Sequence, residues 1–273
     1  SDDPVEDEPG IEQGGGTGTD DDGKEEGGGN DDGKEDDEEL TESAYKPFVT
    51  DKRISKVVEE RFYYGNYSGQ RGYTIYELSY DAKGRLKEYV HYILHKKGSE
   101  VTSQDTSLYR MTYTKNKIIT HITLDISAPD EYYENVIELN EYGYDDRNSY
   151  KAGGYLRFDT QGNTNYSYDK NGNKIKWTTS AKANYYCTYT DYKNDASIEI
   201  NLGGISIPSD LHGKRCANLP EAKQYEKDLG TPYGDFYNYT FDSKGRLTEM
   251  EVVTNSVWNG KRTDKIYHFT YEE

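Results

Sequence analysis

Five histidines, two cysteines, two tryptophans and many carboxylates are the residues of this 273-residue chain that could do chemistry. His91 and His95 stand at i and i+4, the spacing that places two imidazoles on one metal when the backbone is helical. Their surroundings alternate as a strand does, so four residues span about 13 Å. Tyr92 also occupies the position where a zinc protease needs glutamate. The two imidazoles share a face without sharing a metal. His121, His212 and His268 are isolated. Gly204-Ile205-Ser206-Ile207-Pro208 approaches the nucleophile turn G-x-S-x-G but ends in proline. Neither a phosphate-binding loop nor a dinucleotide fingerprint occurs, so no metal, cofactor or catalytic residue is assigned. Glycoside hydrolysis needs two carboxyls about 5–9.5 Å apart in space; with so many Asp and Glu in turn-like contexts, solvated faces account for most of them.

Cys187 and Cys216 are the only cysteines. Tyr185-x-Cys187-x-Tyr189 puts Cys187 on the aromatic face of its segment, whereas Cys216 falls in a long connection. Export would permit a disulfide that pins this connection to the sheet; two separate free thiols are the alternative. Trp177 and Trp258 sit near strand ends, where indoles either pack hairpins or stack on sugar rings. They are the candidate ligand-stacking residues.

The elements that must position these groups are strands. Lys52–Glu60, Tyr73–Tyr80, Leu86–Leu94, Leu108–Thr114, Lys117–Ile126 and Tyr132–Tyr144 are rich in Tyr, Ile, Val and Thr and of strand length. Tyr237–Phe241, Leu247–Trp258 and Ile266–Tyr271 close the chain in the same way. The hairpin turns between such segments carry a pattern, aromatic-Asp-x-x-Gly: Asp81–Gly84, Asp159–Gly162, Asp169–Gly172 and Asp242–Gly245, with Asn at the glycine place in Asp145–Asn148 and Asp191–Asn194. Asp accepts hydrogen bonds from backbone further along the turn, and Gly supplies the positive φ that closes it. Around the turns, aromatic residues recur every second position, as in Tyr76-x-Leu78-x-Tyr80, Tyr109-x-Met111-x-Tyr113, Tyr166-x-Tyr168, Tyr237-x-Tyr239-x-Phe241 and Tyr267-x-Phe269-x-Tyr271. Period two places each set on one face, which predicts an aromatic stripe across an antiparallel meander.

Tyrosine usage agrees, with 29 Tyr against 6 Phe and 2 Trp. Charge divides the chain. Residues 1–43 hold 19 acidic residues against Lys24 and Lys34, leaving 32 acidic and 31 basic residues in 44–273, a net of −1 for that part of a chain whose total is −18. The Asp/Glu/Gly segment has little to bury and is expected to be a disordered acidic tether. The near-neutral remainder has no basic surplus that would favour nucleic acid. Residues 205–233 interrupt the alternation with three prolines, and Pro220–Leu229 reads as a short helix, with Pro in its first turn and Gly230 beyond its end.

Aromatic-Asp-x-x-Gly-Arg-Leu, at Tyr80–Leu86 and Phe241–Leu247, resembles the YD (Tyr-Asp) repeat of secreted bacterial proteins. With the Tyr-rich alternation and the acidic leader, the body resembles a family of Bacteroidetes-type surface lipoproteins of unknown function with a porin-like antiparallel β fold. Ser1-Asp2-Asp3 and Glu6-Asp7-Glu8 resemble the acidic export signal that follows the lipidated cysteine of such proteins. The resemblance implies export and a membrane anchor through a lipid preceding Ser1, at the outer membrane, cell surface or periplasm.

The expected fold is all-β: a single antiparallel domain over 44–273 of roughly 10–14 meander strands, strongly curled or partly closed like a barrel, after the tether 1–43. The expected function is a non-enzymatic, monomeric binding or scaffold module with a glycan or protein partner. The alternative is a secreted hydrolase acting on extracellular glycan, with carboxylates in the sheet concavity.

Overall fold

The computed structural model describes residues 42–159 and 161–273; the tether assigned to residues 1–43 falls almost wholly outside them. Seventeen strands form among the described residues: β1 (Ile54–Phe62), β2 (Gln70–Tyr80), β3 (Leu86–Lys97), β4 (Glu100–Tyr113), β5 (Lys117–Thr123), β6 (Tyr132–Glu138), β7 (Ser149–Tyr150), β8 (Leu156–Phe158), β9 (Asn165–Tyr168), β10 (Lys174–Thr178), β11 (Asn184–Lys193), β12 (Glu199–Asn201), β13 (Gly204–Ser206), β14 (Asn218–Tyr225), β15 (Gly234–Phe241), β16 (Leu247–Ser256) and β17 (Gly260–Tyr271). Fifteen lie in one sheet in the order β6-β5-β4-β3-β2-β1-β17-β16-β15-β14-β11-β10-β9-β8-β7, and β12 and β13 pair separately. Every pairing is antiparallel. The strands outnumber the expected range because β7, β8, β12 and β13 are two or three residues long, too short to leave an alternation in sequence.

Topology requires curvature. Fifteen strands laid flat would put the sheet edges about 67 Å apart. Those edges, β6 and β7, are neighbours in sequence, and the stretch from Glu138 to Ser149 reaches at most about 40 Å. It reaches far less, because Leu139 bridges Asp145 and the Asp146 N–H donates to the Glu138 carbonyl at 2.8 Å. The sheet therefore rolls until its edges approach, without a ladder closing it.

Turn chemistry sets the registers. The Asp81, Asp169 and Asp242 turns share one geometry: Asp N–H to the carbonyl four residues on, Gly N–H back to the Asp carbonyl, and Oδ1 accepting the second and fourth following N–H groups. At Asp159 the same Oδ1 contacts form, but its N–H reaches Thr164, one residue further. Gly84, Gly162, Gly172 and Gly245 all have positive φ, from 69° to 89°. In two turns an arginine adds a clamp, Arg85 Nε to Asp81 Oδ2 at 2.7 Å and Arg246 Nε to Asp242 Oδ2 at 2.8 Å. Asn140–Gly143 builds the same turn from Asn, with Oδ1 accepting from Tyr142 and Tyr144 N–H. Asp191–Asn194, by contrast, is no hairpin: Asp191 lies inside β11, and Asn194 instead brackets Ile200 through its side-chain amide. Asp81→Ala removes the acceptor of two backbone N–H groups and of Arg85, and is expected to cost about 1–2 kcal/mol in urea unfolding, with Asp81→Asn costing less.

The concave face encloses the core. The alternating residues pack inward: Leu78, Met111, Tyr113, Tyr237, Tyr267, Phe269 and Tyr271 are all buried. Against them lies a segment with its own period of two, Ala196-x-Ile198-x-Ile200, followed by Leu211, all in the same apolar cluster. The covering segment is tied to β1 and to the stretches beside the sheet by polar contacts, among them Ile54 N–H to Ser197 Oγ at 2.8 Å, Tyr45 Oη–H to the Ser209 carbonyl at 2.7 Å and Asp145 N–H to the Leu211 carbonyl at 2.9 Å. Gly204 lies so close to the Tyr267 hydroxyl that a Cβ there would overlap it. Beneath β1–β6 and β15–β17 the aromatic stripe thus faces packed protein.

Two sequence expectations change here. Pro220–Leu229 is not a helix: Asn218–Tyr225 is β14, followed by one 3-10 turn over Glu226–Asp228. Pro220 is accommodated because β14 bonds to β15 only through Ala222 and Lys223, and its pairing with Tyr189 of β11 sits at a register shift. In addition, β4 begins at Glu100 rather than Leu108, since Glu100–Asp105 is exposed on both faces and shows no apolar alternation.

Candidate functional site

Where the sheet passes from β9 to β11, the covering hairpin β12–β13 leaves a pocket of about 340 Å³, lined by Tyr166, Tyr168, Lys174, Trp177, Tyr189, Glu199, Asn201, Ser206, His212, Lys214 and Cys216 among others. Three segments bring these groups together. β9 alternates and turns Tyr166 and Tyr168 to the same side. In β10, strict alternation would oppose Lys174 and Trp177, which are three residues apart. A register shift between Lys174 and Lys176 changes that: Lys174 pairs with Tyr168 and Trp177 with Tyr166. The shift re-aims both side chains into one wall. Across from them, Ile198 and Ile200 are buried in the core, so that β12 presents Glu199 and Asn201 to the pocket.

The polar groups are held. Glu199 N–H donates to Ser209 Oγ at 2.8 Å, and its Oε2 accepts the Asp210 N–H at 3.3 Å. Asn201 Nδ2 donates to Ser206 Oγ at 2.6 Å. The Lys174 ammonium rests over the Tyr166 ring, 4.1 Å from its centroid. Trp177 stacks on Tyr185 with centroids 4.8 Å apart and planes at 15°. Tyr189 commits its single hydroxyl proton to the Lys174 carbonyl at 2.8 Å, so at the 3.5 Å contact with Cys216 the thiol is the donor.

Enclosure sets the electrostatics. Burial, reinforced by the nearby Asp210 carboxylate, pushes the Glu199 carboxyl up to about 7 despite the opposing pull of Arg215. Burial also lowers the Lys174 ammonium, and the proximity of Cys216 and Glu199 only partly restores it. His212 is lowered by burial as well. Asp210 itself is committed to Arg215, through Nε to Oδ1 and Nη2 to Oδ2, both 2.8 Å. Glu199 is thus the carboxyl that faces the pocket.

The residues singled out from sequence are dispersed. Trp177 lines the pocket; Trp258 lies at the β16–β17 hairpin tip and is 91% exposed. Cys187 and Cys216 carry free thiols. Burial pushes the Cys187 thiol up to about 12, which keeps it protonated. His91 stacks on Tyr76 and meets Tyr109 edge-on, and no group of His, Cys, Asp and Glu among the described residues is arranged to hold a metal ion. The Asp-Gly turns stand at hairpin ends, where Gly172 also closes tightly on the Tyr155 hydroxyl. Sequence reasoning missed Lys174, Glu199 and His212. The signal for Glu199 was present: it is the acidic outward position in the Ala196-x-Ile198-x-Ile200 alternation.

A shallower groove of about 940 Å³ lies alongside, bounded by Pro47, Phe48, Val49 and Arg215. Charged and amide groups line it too, but Asp210 and Arg215 pair with each other and Asp195 with Lys52, and its apolar part is formed by Pro47, Phe48 and Val49.

No protein-family profile matches the chain, and no curated protein does. Among solved structures, the chain is similar to a porin-like protein from Bacteroides uniformis ATCC 8492, at 14% identity and a TM-score of 0.45, over 80% of this chain and 98% of that one. It is also similar to a porin-like protein from Bacteroides vulgatus ATCC 8482, at 13% identity and a TM-score of 0.30, over 81% of this chain and 99% of that one.

Proposed function

We propose that the β domain is a non-enzymatic binding module that takes a saccharide into the Trp177 pocket, carried outside the cell on the acidic 1–43 segment. The observation that carries this reading is the lining. Flat rings, Tyr166, Tyr168 and Trp177, stand beside amide, hydroxyl and carboxyl groups on the facing hairpin. Sugars bind by that combination: apolar ring faces against aromatic planes, and hydroxyls against fixed polar groups. The volume, about 340 Å³, lies at the lower end of small-molecule pockets. Hydrolysis would need a second carboxyl facing the ligand, and Asp210 is held by Arg215 instead.

Calorimetric titration with a panel of neutral and acidic mono- and disaccharides tests the reading. Binding is expected in the wild type. Trp177→Ala is expected to weaken it about tenfold, the ~1.4 kcal/mol contribution of one stacked ring, and Trp258→Ala to leave it unchanged. A panel in which no saccharide binds would rule the reading out. Export with a lipid anchor is proposed on the acidic leader; protease shaving of intact cells that releases the domain supports it, and protection from protease together with cytosolic fractionation refutes it.

A further inference from the structure

We propose that the sugar this pocket selects is an acidic one, a uronic-acid-type residue whose carboxylate is received by Lys174 and whose ring lies against Trp177. The inference rests on the saccharide reading above and narrows it to one class. Lys174 is the starting point. Its ammonium sits in the pocket over the Tyr166 ring and forms no ion pair among the described residues. Other half-buried lysines differ: Lys52 pairs with Asp195 at 2.8 Å and Lys223 with Asp235 at 2.7 Å, while Lys96 and Lys176 rest over tyrosine rings without a carboxylate but do not line the pocket. With an aromatic face beneath it and no hydrogen-bonded partner among the described residues, the ammonium retains unused donors, and Glu199 across the pocket only partly offsets its charge. A ligand carboxylate supplies both missing partners.

The rest of the lining has the same bias. Lys214 extends along the rim over the Tyr155 ring, 5.0 Å from its centroid, and His212 lies beside it. The one carboxyl facing the cavity, Glu199, is on the opposite wall and is raised by burial and by Asp210 to about 7. Near neutral pH it therefore exists in part as a neutral acid, which does not repel an anion and can donate to a sugar hydroxyl. The groups facing Glu199 are Asp210 and Arg215 from the covering segment and Lys174 from β10. Cation, ring and acid thus line the pocket together, with Lys174 and Trp177 on one wall and Glu199 facing them, while carboxylate, pyranose face and hydroxyls are the matching groups of a uronate.

The test uses the domain as it exists and four probes: D-glucuronate, D-galacturonate, D-glucose and D-galactose, titrated at pH 6 and low salt. The expected result is that each uronate binds at least tenfold more tightly than its neutral counterpart. That preference should shrink as salt is added and vanish in Lys174→Met. Two results would overturn the inference while leaving the saccharide site standing: neutral sugars binding as tightly as uronates, or an unchanged preference in Lys174→Met. If none of the four probes nor the wider panel binds, both this inference and the saccharide reading fall. Should Lys174→Met not fold, the wild-type ratio of uronate to neutral affinity decides the question alone.

Discussion

Arg215→Met is expected to destabilise the domain by about 3–5 kcal/mol, the cost of leaving one member of a buried ion pair without its partner. The Arg215 and Asp210 side chains are 8% and 7% exposed and meet through two parallel bonds. Arg215 also donates to the Ala196 carbonyl at 2.5 Å, and its guanidinium lies 4.9 Å from the centre of the Phe48 ring. Methionine keeps much of the length and the packing but none of the five donors. The Asp210 carboxylate would retain only Phe48 N–H, at 3.2 Å. The covering segment would then be the weak part of the fold, since Arg215 joins its two ends. Urea unfolding followed by tyrosine fluorescence reads the loss. The paired change Arg215→Met with Asp210→Asn is expected to recover much of it, because Asn is tolerated at the positive φ of 61° there. A loss below about 1 kcal/mol in the single variant would show that the pair contributes little.

Glu199→Gln is expected to stabilise the domain by about 2 kcal/mol at pH 8 and to have almost no effect at pH 4. The ordinary value for this carboxyl is 4.5, and burial raises it to about 7 in the folded protein. Between those two values the folded state holds a proton that the unfolded chain has released, so stability falls as pH rises through that window. Each unit costs up to ~1.4 kcal/mol. Above about pH 7 the full penalty is in place; below about 4.5 both states are protonated and it is absent. Glutamine accepts the Asp210 N–H as glutamate does but carries no charge. The figure is set below the ~3 kcal/mol maximum because the pocket admits water and because Lys174 loses a favourable neighbour. Thermal unfolding of both forms at pH 4, 6 and 8 is the measurement; a difference that does not grow with pH would disprove the assignment.

How far such features can be read without coordinates depends on how local they are. The Asp81 and Asp242 turns are complete within five residues, so Asp, Gly and the clamping Arg carry their own geometry in the sequence. Strand identity over β1–β6 and β15–β17 follows from alternation for the same reason. The inward face of the aromatic stripe did not follow, because what covers it comes from Ala196–Leu211, a stretch assigned no element as far as Gly204 and read as a proline-broken connection from residue 205 on. Pro220 pointed to a helix start, and only the β11 register shows why a strand can hold it. The pocket was least accessible of all. Lys174 and Trp177 share a wall only through a bulge, and Glu199 reaches them only because Ile198 and Ile200 are drawn into the core.

The sheet order has a kinetic consequence. β1 and β17 pair at its middle, with Ile54 opposite Tyr271 and the Glu272 N–H donating to the Arg53 carbonyl at 2.8 Å. Strands β1–β6 and, largely, β7–β17 can each zip from hairpin to hairpin, but the seam between them joins the two ends of the domain. During synthesis β1 must wait as a bare edge until β17 has emerged, and only then can the covering segment of the second half settle under the first. Non-local pairing of this kind makes the docking of two preassembled meanders the slow step of folding. It also leaves the ends of the domain side by side, so that a circular permutant joined there and opened at the Gly98 hairpin would keep every strand pair of the sheet.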